Sequence, residues 1–174
     1  MQNLLLRGAA IATCALLLAC SPRFDWREVR GTSAPYLALF PAKPDTHARE
    51  INLAGTPVTM TMTGAEVDGT TFAIGSIALP DPTRAQQALA DMKTALVRNI
   101  RGKVVAEKVS APAPGTTMLE LEARGPLPDG GERVMLARFI ARSRHAYQLL
   151  VVGEAGTLSR EAAETFLESI EFPE

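Results

Sequence analysis

Between Pro57 and Val67 the chain reads "PVTMTMTGAEV", with Val58, Met60 and Met62 at one parity and Thr59, Thr61 and Thr63 at the other. Successive side chains of an extended strand leave opposite faces, so a period of two predicts a strand, and this is its clearest instance here. Just upstream, Ile51 and Leu53 alternate with Glu50 and Asn52. Asp68-Gly69 then supplies the pair of positive-φ residues that a tight hairpin needs. In the return segment Phe72 and Ile74 share one parity, whereas Ile77 and Leu79 share the other. A bulge at Gly75-Ser76 is expected to restore the phase. Nearer the start, "FDWREV" alternates weakly as an early strand, and "PYLALFPA" is an apolar run stopped by Pro41 and Pro44.

The period then changes. Asp81 stands as a helix cap, Pro82 in the first turn, and Ala85, Leu89, Met92, Leu96 and Ile100 recur at steps of three to four. That spacing lines up one face of a helix, which Gly102 is expected to end. Four strand-like segments follow, "KVVAEKVSA", "TTMLELEARG", "RVMLARFIARS" and "HAYQLLVVGE", separated by turn-forming "PAPG", "PLPDGG" and "SRH". Leu149 to Val152 is apolar at both parities, which predicts a strand in the middle of the sheet. Ser159 caps a last helix whose Ala162, Ala163, Phe166, Leu167 and Ile170 form a second apolar stripe. The expected class is α+β: a mostly antiparallel sheet of about six to eight strands, packed by one long central helix and one C-terminal helix.

The first residues carry a different message. "MQNLLLR" holds Arg7 and no acid, and Gly8 to Ala19 is small and apolar throughout. This is the layout of an export signal, and its run is shorter than the ~20 residues that span a bilayer as a helix. "LLAC", Leu17 to Cys20, resembles the lipobox of bacterial lipoproteins. The resemblance implies that residues 1–19 are cleaved as a type II signal peptide. Cys20 would then take a diacylglyceryl group on sulfur and an acyl chain, such as palmitate, on its amine. A thiolate is the soft nucleophile that thioether formation requires, and two or three chains make a stable anchor where one is marginal. Ser21, not Asp, follows the cysteine, which under the enterobacterial sorting rule implies an outer-membrane lipoprotein facing the periplasm, with the inner membrane as the alternative. Residues 20–34 then form a lipidated N-terminus with a short tether or first strand, and 35–174 a single α+β domain. Trp26, the only tryptophan, packs on that domain or touches lipid headgroups.

The order of elements, with "FP" after the second strand, "YQLLVVG" near the end and a closing "FLESIEF", resembles the PsbP-like α/β sandwich over roughly residues 35 to 172. That family's fold serves mainly as a docking module, and no defining site motif of it can be matched onto this chain.

Composition narrows the chemistry. A net charge of −1, with neither basic nor acidic blocks, gives no electrostatic reason to bind nucleic acid. The two cysteines are Cys14 and Cys20, so removal of the signal and lipidation of Cys20 leave no disulfide. His47, in a polar loop, and His145, in a tight turn, read as surface residues. Ser33, Ser76 and Ser159 have turn or capping explanations, and no nucleophile elbow, zinc-binding helix or phosphate loop occurs. Glu120 and Glu122 alternate with Leu119 and Leu121, the pattern of a wet strand face. Met60 and Met62 read as core fillers, with thioether coordination of Cu(I) as the functional alternative. Arg138 and Arg142 share a face with Val134, Leu136 and Ile140. They are expected to pair with glutamates of "LELEA", the alternative being a grip on an anionic partner; Arg133 and Arg144 extend the basic group.

No catalytic residue, cofactor or metal ligand is therefore expected, and Cys20 is the single modification site. The expectation is a non-enzymatic envelope lipoprotein that docks or assembles with an envelope protein. The alternative is a periplasmic ligand carrier or chaperone with a pocket between sheet and helix.

Overall fold

The structure, a computed structural model, describes residues 23–53 and 55–173; the signal-like stretch and Cys20 lie outside the described residues. Among the described residues, nine strands and two helices follow in order: β1 (Arg27–Arg30), β2 (Leu37–Phe40), β3 (Asp45–Leu53), β4 (Thr56–Val67), β5 (Thr70–Ala78), α1 (Pro82–Asn99), β6 (Lys103–Ala113), β7 (Thr116–Pro126), β8 (Glu132–Arg142), β9 (His145–Glu154) and α2 (Arg160–Glu168). Strands β3 to β9 form one seven-stranded sheet in the order β3-β4-β5-β9-β8-β7-β6. Every neighbouring pair is antiparallel. The α+β class and the antiparallel sheet are as the periodicity predicts, and β9 does sit in the middle.

Both faces of the sheet are covered. Helix α1 lies over β8 and β9 on one face, where Ala85, Leu89 and Met92 meet Met60, Ile77, Leu121, Met135 and Phe139. The β1–β2 ribbon and α2 cover the other, where Tyr36, Phe40 and Phe166 meet Phe72, Ile74, Tyr147, Leu149 and Val151. This corrects the expectation for β5. Its pairing with β4 and β9 runs without interruption through Gly75 and Ser76, so no bulge is present. Phe72 and Ile74 feed one core and Ile77 the other, because the sheet has two buried faces rather than one.

Local chemistry sets the boundaries. An Asp81 side-chain oxygen accepts from the Arg84 backbone N–H at 2.9 Å, capping α1, and Ser159 accepts from Ala162 N–H at 3.2 Å to cap α2. Asp68 and Gly69 adopt φ of 49° and 73° in the β4–β5 hairpin, the conformation that their sequence favours. The helix ends just before Gly102, as expected, and the left-handed residue there is Arg101, with φ 50°. The glycine serves close approach instead: a Cβ there would lie 2.7 Å from the Ile100 side chain and 2.8 Å from the Arg124 carbonyl oxygen. Downstream of α2, Leu37 and Glu171 exchange backbone hydrogen bonds of 2.9 and 2.8 Å, fastening the C-terminal segment to β2.

Phe166 contacts Phe40 and Phe72 edge-on, at centroid distances of 5.1 and 5.6 Å, and is fully buried. Phe166→Ala is expected to cost about 3–5 kcal/mol through lost burial and the cavity left behind. Asp81→Ala should cost only about 1 kcal/mol as a lost cap. Equilibrium urea unfolding of both variants measures the contrast.

Candidate functional site

Most of the charged groups beside α2 are engaged with one another. Glu122 lies between two guanidinium groups: Arg160 donates to both carboxylate oxygens, at 2.9 and 3.1 Å, and Arg124 donates at 3.0 Å. The Arg160 hydrogen bonds, above all, hold the Glu122 carboxyl below its ordinary 4.5, with partial burial opposing and Arg124 assisting. Arg138 donates to Glu120 at 3.0 Å and to the Leu167 carbonyl oxygen at 2.9 Å, so it ties β7 and β8 to the last turn of α2. Glu120 and Arg138 are direct cross-strand partners, as expected from the hairpin. Arg142 differs from expectation, lying 5.1 Å from the centre of the Phe172 ring rather than against a glutamate. Glu120 and Glu122 are only partly exposed, so this strand face is an ion-paired clamp under α2 rather than an open wet surface. Glu122, held ionised by its arginines, is a poor proton donor near neutral pH.

The histidines stand apart. His145 opens β9 beside the Tyr147 ring, at 6.1 Å between centroids. Burial first, and then the Arg144 charge, lower its pKa from 6.5. Tyr147 donates to the Pro35 carbonyl oxygen at 3.2 Å, and burial pushes its hydroxyl up to about 12. His47 is not in a loop: β3 extends back to Asp45 because the long β4 pairs with its whole length, which places His47 directly opposite Met62. Ser159 is the α2 cap, and Ser76 is buried with its hydroxyl 3.5 Å from that of Ser33. Trp26 and Phe24 pack against the second core. Among the described residues no cluster of three or more His, Cys, Asp or Glu is arranged to hold a metal ion.

Two other features escape a reading of the periodicity. First, β5 pairs with β4 only from Thr61 onward, so the far half of the β3–β4 hairpin overhangs and faces α1 across a groove. Two adjoining cavities of about 500 and 330 Å³ occupy it, sharing Leu53 and Asp91. Ile51, Val58, Met60 and Leu96 line its apolar walls, with Arg49, Arg84 and Arg98 at the rim. The only hint in the sequence is that β4 is longer than β5. Second, β6 is a sheet edge on which Val104, Val105 and Val109 are 41, 54 and 63% exposed, the large exposed hydrophobic residues among those described. Its register shifts between Val104 and Ala106. No protein-family model matches this chain, and no curated protein matches it.

Glu122 gives its cluster a defined pH response. A folded-state pKa below the unfolded one contributes stability that is complete above the unfolded value and is lost as pH falls through the folded value. Between roughly pH 5 and pH 3 the wild type is therefore expected to lose more stability than Glu122→Gln, as read by urea midpoints at each pH. By NMR, the His145 imidazole should titrate below 6.5.

Proposed function

We propose that this chain is a lipid-anchored protein of the bacterial cell envelope, acylated at Cys20, that docks another envelope component and has no enzymatic activity of its own. The outer membrane, facing the periplasm, is the proposed location. The lipobox-like "LLAC" after a short apolar run supports the anchor. No helix among the described residues is long and apolar enough to cross a membrane. The PsbP-like architecture belongs to the same proposal, and the order of strands and helices on the two sides of an antiparallel sheet supports it.

One observation carries the docking reading: the β6 edge. A row of unpaired backbone donors and acceptors flanked by exposed valines fits an extended segment added as a further strand. Lys103, Lys108 and Pro112 interrupt it, which discourages indiscriminate pairing and leaves room for a selected partner. The groove between α1 and the β3–β4 hairpin favours a second reading, a carrier of an apolar ligand with an anionic end, because its walls are apolar and three arginines stand at its rim.

Two measurements test the main reading. Radiolabelled palmitate should be incorporated into the wild type and not into Cys20→Ala. Photo-crosslinkers placed at Val105 and Val109 in cells should give one discrete protein adduct that a linker at exposed Arg30 does not. Mass-spectrometric mapping of that adduct should show a single strand register. Unchanged labelling in Cys20→Ala refutes the anchor, and crosslinking equal at all three positions refutes the edge as the docking surface. Delipidated protein that retains a stoichiometric fatty acid would favour the carrier.

A further inference from the structure

Four strands bring one row of side chains together on the α1 side of the sheet. His47 on β3 pairs with Met62 on β4, Met62 with Gly75 on β5, and Gly75 with Gln148 on β9. Met60 stands two residues along β4 on the same face. The Gln148 amide nitrogen lies 3.7 Å from the Met60 sulfur and 3.8 Å from the Met62 sulfur, so both thioethers converge on one point. Gln148 is 5% exposed, and two thioether sulfurs are weak acceptors for a buried amide. Gly75 makes the convergence possible. A Cβ at this position would lie 2.8 Å from the Met62 sulfur and 2.9 Å from the Gln148 amide nitrogen.

We propose that Met60, Met62 and His47 form a binding site for a soft monovalent cation, Cu(I). Direct cross-strand partners have Cβ atoms about 4.5–5.5 Å apart, and methionine has three rotatable side-chain bonds. The His47 imidazole and the Met62 sulfur therefore reach a common ion with the strands in place. Two neutral thioethers and an imidazole select Cu(I) over hard cations, which prefer oxygen ligands. His47 is exposed and Met62 partly so, while Met60 is buried, which gives the ion an entry from solvent and a greasy, water-poor inner side. Asp45 and Glu66 line the depression that His47 and Met62 share. Lys43 lines it too and Arg49 stands opposite Met60, so the local charges balance and the soft donors carry the selectivity. Binding needs no change of oxidation state. The site is independent of lipidation and of the β6 edge.

The test uses the full chain in detergent with Cys14→Ser and Cys20→Ser, so that no thiol competes. Cu(I) is presented as its bicinchoninate complex under ascorbate, with Ag(I) as a second probe. One equivalent of Cu(I) is expected to leave the chelator, and Ag(I) should shift the methyl NMR signals of Met60 and Met62 while leaving Met118 unmoved. Met62→Leu and His47→Gln, which preserve approximate side-chain volume, should each weaken binding by about tenfold or more. Met60→Leu/Met62→Leu should abolish it while retaining the folded methyl spectrum. No transfer of copper, or transfer unchanged in the double variant, overturns the proposal. So does Zn(II) binding that is tighter than Cu(I) and indifferent to both methionines, which would assign the depression to His47 with Asp45 and Glu66.

Discussion

The structure rests on a sheet that must be dry on both sides. Strands β5 and β9 have no polar face to offer water: Phe72, Ile74, Tyr147, Leu149 and Val151 go one way, and Ala73, Ile77, Ala146 and Leu150 the other. Each fully buried large side chain contributes about 1.5–3 kcal/mol only if something covers it. One helix cannot cover both faces, so the chain supplies α1 to one and the β1–β2 ribbon with α2 to the other. The remaining features are consequences of how far those covers reach. Helix α1 stops short of the overhanging β3–β4 hairpin, leaving the groove. Helix α2 stops short of β7, and there Glu120, Glu122, Arg138 and Arg160 take over from apolar contact.

Much of this was legible where the chemistry is local. Asp81 and Ser159 announce helix starts because their side chains satisfy backbone donors two or three residues away. Asp68-Gly69 announces a turn because few other pairs tolerate both positive φ angles. The apolar run at Leu149 announces a central strand because no other position buries both of its faces. Where the answer depended on partners distant in the chain, the pattern misled. The phase change in β5 looked like a bulge only on the assumption of a single buried face. His47 looked like a loop residue because its neighbours are polar, yet those neighbours are simply the outward side of an edge strand. Gly102 marks the end of α1, but nothing local shows that the left-handed turn falls on Arg101 or that the glycine's constraint is the backbone of β7.

The candidate sites follow the same division. Cross-strand pairing of Arg138 with Glu120 could be read from the hairpin, since register follows once the turn is known. Arg160 meeting Glu122 could not, since its side chain reaches β7 from the start of α2, 38 residues away. The convergence of Met60 and Met62 on Gln148 spans 86 to 88 residues. Only the sheet order, with β9 inserted beside β5, creates it. The two edges of the sheet also differ in character: both carry charge, Asp45, Arg49 and Glu50 on β3 and Lys103, Glu107 and Lys108 on β6, but β6 adds three exposed valines.

The backbone exchange between Leu37 and Glu171 has a mechanical meaning. β1 is joined to β2, and β2 is sewn to the final residues of the domain, so tension arriving from the amino-terminal side is handed straight to the carboxy-terminal end. A tug on this molecule strains the seam between its two extremities before it reaches the large sheet. Because Tyr36 and Phe40 at that seam also cover the sheet, parting it would uncover the aromatic core beneath.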